Sequence, residues 1–193
     1  MRWKGRSLLA ALFVVGVFPA QALAQSPDKI ALCEACHGPA GNSAIANTPS
    51  IAAQPLTFLE NQLVFMREGM RNAPVMQAVL KGVKDEDLTA LARHFSAQKA
   101  RVVATAPADP ALVARGTELS TRLHCDQCHL PSFAGRDQMP RIAGQREDYM
   151  VEAMVGYRDG KRSAADTTMT EVLTGVSDAD IRALAHYLSR LGP

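Results

Sequence analysis

Cys33-Glu34-Ala35-Cys36-His37 and Cys125-Asp126-Gln127-Cys128-His129 decide how this chain is read, and they hold all four of its cysteines. Cys-x-x-Cys-His is the attachment pattern of a c-type haem. Two intervening residues put both thiols on one helical turn, where they reach the vinyl groups of a porphyrin and form thioethers. The histidine that follows aims its imidazole at the iron from the same side. Rival uses of paired cysteines fit less well. A zinc ribbon spaces its pairs by about 15 to 20 residues, whereas 88 residues separate Cys36 from Cys125. A thioredoxin-like pair needs a βαβ context, and no stretch alternates with period two for long enough to be a strand. Structural disulfides suit an exported chain, but they do not call for a histidine after each pair.

Outward from the motifs, the chain is one unit written twice. Pro49-Ser50-Ile51-Ala52-Ala53-Gln54 matches Pro140-Arg141-Ile142-Ala143-Gly144-Gln145 at an offset of 91. Arg67-Glu68-Gly69-Met70-Arg71 matches Arg158-Asp159-Gly160-Lys161-Arg162 at the same offset. Met76 to Val83 matches Met169 to Val176 at an offset of 93, and Asp85-x-Asp87 matches Asp178-x-Asp180. Such a period is too long for a solenoid and marks two small homologous domains. The expected bounds are 25–100 and 111–193, joined by a linker over 101–110 that is rich in Ala and Pro. Each half reads as helical. Helices are expected over Asp28–Cys36, Leu56–Met70 and Asp85–Gln98, and over Pro110–Cys128, Arg146–Tyr157 and Asp178–Leu191, from apolar spacing and acidic starts.

The repeat register also selects candidate iron ligands. His37 and His129 are the proximal candidates. A methionine thioether on the opposite face would complete each iron and favour electron transfer. Of the methionines, only Met76 and Met169 align with each other, in matching loops before the last helix of each half. Met154 reads as helix packing, and core packing is the ordinary reading of a methionine without an aligned partner. His94, His124 and His186 have no aligned partner and read as surface or packing residues. Pro49 and Pro140 follow the ligand histidines by 12 and 11 residues, where their carbonyls could accept the second ring N–H of each histidine. Arg67, Arg71, Arg158 and Arg162 are candidates for haem propionates.

Residues 1–24 read as a secretory signal peptide. Arg2, Lys4 and Arg6 precede an apolar run from Leu8 to Phe18, and Ala22-Leu23-Ala24 is an A-x-A site. Eleven residues make a helix of roughly 16 Å, too short for the ~30 Å bilayer core. The precursor's net charge is +2. Cleavage before Gln25 leaves 18 basic against 19 acidic residues. That balance excludes a strongly basic nucleic-acid binder. Aromatic residues are 5% of the chain, thin filling for cores that two porphyrins would complete.

On these stretches the sequence resembles dihaem class I cytochromes c of the c4 type. The resemblance rests on CEACHGPAGNS, PSIAAQ, FMREGMRNAPVM and LTALARHFS in the first half. In the second it rests on CDQCHLPSFAG, MPRIAGQREDYM, YRDGKR, the Thr-Thr-Met that ends at Met169, and SDADIRALAHYLS. It implies an all-α fold of two tandem cytochrome c domains about a pseudo-twofold axis, with haem edges near the interface. It implies two covalent haem c groups with His–Met ligation, and Pro49 and Pro140 beside the histidines. Two departures stand out: Ala53 where the family has Gly, and HLPSFAG against HGPAGNS beside the second motif.

The expected function is periplasmic one-electron transfer, with no small-molecule substrate and no nucleic acid. The expected donor is a quinol-oxidising complex or a dehydrogenase, and the acceptor a terminal oxidase or reductase, with membrane association of the partners. An alternative is the dihaem subunit of a larger enzyme, such as a flavocytochrome sulfide dehydrogenase. A dihaem peroxidase needs one openable haem, and two matched methionines argue against it.

Overall fold

The computed structural model describes Met1 and residues 27–103, 107–162 and 167–192. The first half contains α1 (Pro27–His37), α2 (Leu56–Arg67), α3 (Pro74–Leu80) and α4 (Asp85–Ser96). The second contains α5 (Pro110–Arg122), α6 (Cys125–His129), α7 (Glu147–Arg158), α8 (Thr168–Leu173) and α9 (Asp178–Leu188). Among the described residues there is no sheet, only an isolated bridge between Arg136 and Met139. The run α2-α3-α4 repeats as α7-α8-α9. No described helix is long and apolar enough to cross a membrane.

The last helix of each half shows why these segments are helical. In α4, Leu88, Leu91, Ala92 and Phe95 fall on one buried stripe, the spacing of an amphipathic helix. Three acidic residues open it and Arg93 and His94 close it, both favourable to the helix dipole. In α9, Ser177 caps the start by accepting from the Asp180 N–H at 3.1 Å, and Ile181, Leu184 and Leu188 are buried. Asp109 caps α5 by accepting from the Ala111 and Leu112 N–H groups, with Pro110 in the first turn. Helix α5 crosses α9 at Gly116, where a Cβ would lie 2.3 Å from the Ala183 carbonyl oxygen. Only glycine allows that approach.

Two expectations about local structure are corrected. The single helix expected over Pro110–Cys128 is two helices. His124 adopts φ 53° and ψ 38°, a left-handed conformation that ends α5 and starts α6 in a new direction. Histidine is among the residues that visit this region more readily. In the first half α1 runs unbroken through both cysteines to His37. Met76 and Met169, expected in loops, lie instead in the first turns of α3 and α8.

The loops after the two motifs share a backbone despite different sequences. The Gly41 carbonyl accepts from the Ile51 and Ala52 N–H groups at 2.8 and 3.0 Å, and the Phe133 carbonyl accepts from Ile142 and Ala143 at 2.9 and 3.1 Å. Gly41 has φ 76° and Phe133 φ 56°. The phenyl ring changes its origin between the halves. In the first, Phe95 of α4 packs with Leu59 and Leu91, and a Cβ on Gly41 would sit 2.9 Å from its ring. In the second, the ring comes from the loop, as Phe133, and α9 carries Leu188 beneath it.

Ala53 keeps the geometry of its glycine counterpart. It has φ 51° against 62° at Gly144. Its N–H donates to the Phe95 carbonyl at 3.0 Å, as that of Gly144 does to Leu188 at 2.9 Å. A left-handed alanine is strained by roughly 1–2 kcal/mol, while glycine's extra unfolded-state entropy returns part of that. Ala53→Gly is therefore expected to stabilise the protein by about 1 kcal/mol, read as a higher urea midpoint at unchanged slope. A lower midpoint would show that the strain is absent.

The halves meet through a reciprocal set of hydrogen bonds. The Gln145 side chain accepts from the Ser50 N–H and donates to the Ser50 carbonyl, both at 2.8 Å. The Gln54 side chain does the same to Arg141, both at 2.9 Å. Gln54 and Gln145 are repeat partners, and so are Ser50 and Arg141. Residue i meets j′ while i′ meets j, the signature of a twofold contact. Asp148 adds a bond from the Asn47 N–H at 3.1 Å, and Arg146 donates to the Ser43 carbonyl at 3.4 Å.

Candidate functional site

The first Cys-x-x-Cys-His motif ends α1 and the second makes up the whole of α6, and each presents its sulfurs from one turn. Cys33 packs beside Phe95 and Leu59, and Cys125 beside Phe133 and Met150. Cys36 and Cys128 are exposed, and none of the four is in a disulfide. Burial pushes the Cys33 thiol up and the Cys125 thiol up to about 11. Neither is the depressed-pKa thiolate of a redox-active Cys pair. Among the described residues no group of three or more His, Cys, Asp or Glu could hold a metal ion, so the cysteine pairs do not meet in a zinc site.

His37 and His129 are buried. Nδ1 of His37 donates to the Pro49 carbonyl at 2.8 Å, and Nδ1 of His129 to the Pro140 carbonyl at 2.8 Å. Burial pushes both imidazoles below their ordinary pKa and outweighs the carbonyl bond that favours the charged form. A neutral ring with Nδ1–H so engaged leaves the Nε2 lone pair free to ligate a metal.

Met76 is half-buried against Met66, Leu80 and Leu88, and Met169 is half-buried at the start of α8. Met66 and Met150 are core residues, and Met154 packs beside Met150. His186 is buried, with Nδ1 directed to Glu147 at 3.1 Å and Nε2 accepting from the Asp109 N–H at 2.9 Å. It ties the start of α5 to α9.

The four candidate arginines divide into two kinds. Arg67 pairs with Glu68 and Asp85 and donates to the Val83 carbonyl. Its repeat partner Arg158 does the same with Asp159, Asp178 and the Val176 carbonyl. Their guanidiniums tie the end of α2 to the start of α4 and the end of α7 to the start of α9. Arg71 and Arg162 converge on the seam instead. Arg162 donates to the Tyr149 hydroxyl at 2.8 Å and Arg71 reaches the same oxygen at 3.4 Å. Arg162 also stacks on the rings of Tyr149 and Tyr157 at 5.5 and 5.0 Å, which is cation–π distance. Burial raises the Tyr149 phenol's pKa, but the charges and hydrogen bonds of Arg162 and Arg71 reverse this and hold it below its usual value.

Among the described residues two buried guanidinium atoms have no partner, Nε of Arg141 and Nε of Arg162. Arg141 has carbonyl partners but no carboxylate, and burial brings it down to about 10. Buried cations left uncompensated are costly, so these side chains fit an anionic group arriving with the prosthetic group, as propionates would. Arg141 and the Gln54–Gln145 pair were not foreseen as functional residues. The signal available was the glutamine that closes both copies of Pro-x-Ile-Ala-x-Gln.

Comparison with known proteins agrees with this geometry. A family model described as cytochrome c matches residues 113–192. A cytochrome c4 of Pseudomonas aeruginosa is 32% identical, over 96% of this chain and 96% of its own length. A thiosulfate dehydrogenase electron acceptor of Thiomonas intermedia is 30% identical, over 86% of this chain and 81% of that protein. The crystal structure of reduced recombinant cytochrome c4 from Pseudomonas stutzeri superposes with a TM-score of 0.78 at 34% identity, covering 85% of this chain and 95% of that one. A duplicated Cys-x-x-Cys-His unit, an all-α pair of halves about a twofold seam, and relatives matched from end to end place the chain in the cytochrome c4 family, dihaem c-type cytochromes that transfer electrons and are not enzymes.

Proposed function

We propose that this protein carries single electrons in the periplasm, from a quinol-oxidising complex or dehydrogenase to a terminal oxidase or reductase. The observation that carries the reading is the twinned histidine: both halves hold the ring by the same carbonyl bond, at the same distance. Haem c, when bound, supplies an iron that alternates between ferric and ferrous states. Cys33 and Cys36 would hold the first haem, and Cys125 and Cys128 the second. His37 with Met76, and His129 with Met169, would hold the two irons. The carbonyls of Pro49 and Pro140 fix each imidazole in one tautomer and orientation. Met76 is anchored by α3 on a buried cluster, so it stays put when charge changes nearby. Arg71 and Arg162 stand ready for propionates at the seam.

The segment 1–24 is proposed to be a cleaved export signal; residues 2–24 lie outside the described residues. Release of a chain beginning at Gln25 is the outcome expected from N-terminal sequencing of the exported protein. The relative named as a thiosulfate dehydrogenase electron acceptor supports a second reading, service to one dedicated dehydrogenase. Tight co-purification with an enzyme subunit would favour it.

The test is an optical redox titration of the protein matured with haem. Two haems per chain, two one-electron steps and a methionine-to-iron charge-transfer band are expected. A single haem, or steady peroxide turnover by the pure protein, would overturn the reading.

A further inference from the structure

The surface around the exposed Cys36 is apolar, and its twin around Cys128 is polar. Leu32 is 56% exposed and Ile45 49%. Leu32 stands one helical turn before Cys36, so the two share a face of α1, with the exposed Ala35 beside them. Its neighbour Cys33 is the residue turned to the core, against Phe95 and Leu59. Ser43 fixes Ile45 to the same rim. Its hydroxyl donates to the Cys36 carbonyl at 3.3 Å and accepts from the Ile45 N–H at 3.2 Å. Ala44 and Ala46, on either side of Ile45, are exposed too. Asp28, a further turn back on α1, marks the edge of this rim. The other charges nearby are engaged. Glu34 accepts from the Ala40 N–H, and Lys29 pairs with Asp87. Asp148, which reaches Asn47 from the other half, pairs with Arg146. In the second half the repeat partners of Leu32 and Ala35 are His124 and Gln127, and the loop that matches Ile45 reads Arg136-Asp137-Gln138, all of them exposed. Met1 apart, every large apolar side chain that is exposed among the described residues lies between 32 and 102.

We propose that this rim of the first half is the docking face for a small redox protein whose own contact surface is apolar and uncharged. An exposed apolar patch rimmed by polar residues marks a site of association. A face without charge does not steer a charged partner, and a basic or acidic surface pressed against it would be desolvated with no counter-charge. It therefore complements a partner that brings none. Its size selects a transient partner over a second copy of this chain. Leu32, Ala35, Cys36, Ala44, Ile45 and Ala46 are far fewer than the about 20–30 residues a side of a stable interface, and redox encounters lie at the small end of the scale. Cys36 would hold the first haem, so a partner docked here meets that haem first.

The inference rests on the electron-transfer reading above, and its test separates the two. The probe is a blue copper protein whose copper edge is ringed by uncharged apolar side chains. Stopped-flow mixing of the reduced, haem-loaded protein with the oxidised copper protein measures one electron passing from ferrous iron to Cu(II), which leaves ferric iron and Cu(I). The wild-type rate constant should change by less than about twofold between 0.01 and 1 M salt, over which the Debye length falls from about 30 to 3 Å. Leu32→Asp and Ile45→Asp each put an unpaired charge into the contact and should slow the reaction about tenfold. His124→Asp, the twin change in the second half, should leave it within about twofold. In NMR of the wild type, the Leu32 and Ile45 methyls should shift as the copper protein is added. The inference is overturned if salt changes the rate by more than that, if neither first-half substitution slows it, if His124→Asp slows it as much, or if the methyls do not shift. A wild-type dimer in sedimentation that Leu32→Asp dissociates would give the face to a second copy, and flotation with phosphatidylcholine vesicles that Leu32→Asp abolishes would give it to a lipid surface. Either result overturns the inference. Haem content checks the fold of each variant, and should Leu32→Asp fail to take up haem, Ile45→Asp and the wild-type methyl shifts decide. A wild type without two redox-active haems overturns the electron-transfer reading itself, whereas one that has them but passes no electron to the copper protein overturns only the inference.

Discussion

Replacing Met76 with alanine is expected to abolish half of the methionine-to-iron charge-transfer absorbance of the oxidised protein and to lower one of its two reduction steps. Met169→Ala should do the same to the other half. A thioether ligand raises the potential of a His-ligated haem, and alanine is too short to reach the iron. The fold should survive, because both side chains are only half-buried. Met66→Ala is the control. Met66 lies in the same buried cluster that backs Met76, but it aligns with Tyr157 in the repeat. Its loss should cost about 2–5 kcal/mol of stability and leave the band intact. If Met66→Ala removes the band and Met76→Ala spares it, the register argument for the ligands fails.

The second large effect is expected at the seam. Gln54→Ala and Gln145→Ala each strip a buried N–H and a buried carbonyl of their partners across the halves. An orphaned buried group costs about 1–3 kcal/mol, so each substitution should cost about 2–6 kcal/mol of seam contact. In calorimetry the double variant should unfold as two separate transitions, one per half, with both haems retained. One unsplit transition at the wild-type temperature would show that other contacts hold the halves together.

Much of the fold is legible in the sequence. The period of Leu88, Leu91 and Phe95 and the acids before them placed α4 within two residues of its observed end, and the same logic served α9. The break at His124 was not legible, because no Gly or Pro marks it and histidine adopts left-handed backbone without advertising it. Helices α3 and α8 are too short for apolar periodicity to stand out. Among the candidate arginines, sequence could not separate Arg67 and Arg158 from Arg71 and Arg162. All four sit around the same helix end, and only the fold shows Asp85 and Asp178 reaching back to one pair and Tyr149 to the other.

The exchanged phenyl ring makes the two halves non-interchangeable parts. Each last helix is cut to the loop of its own half: α4 brings Phe95 against a glycine, and α9 brings Leu188 beneath Phe133. A chimaera that traded α4 for α9 would bring two phenyl rings to the loop of the second half and none to the loop of the first. The duplication has thus diverged into a lock and a key that fit only in their present order, although the backbone of the two loops is nearly the same.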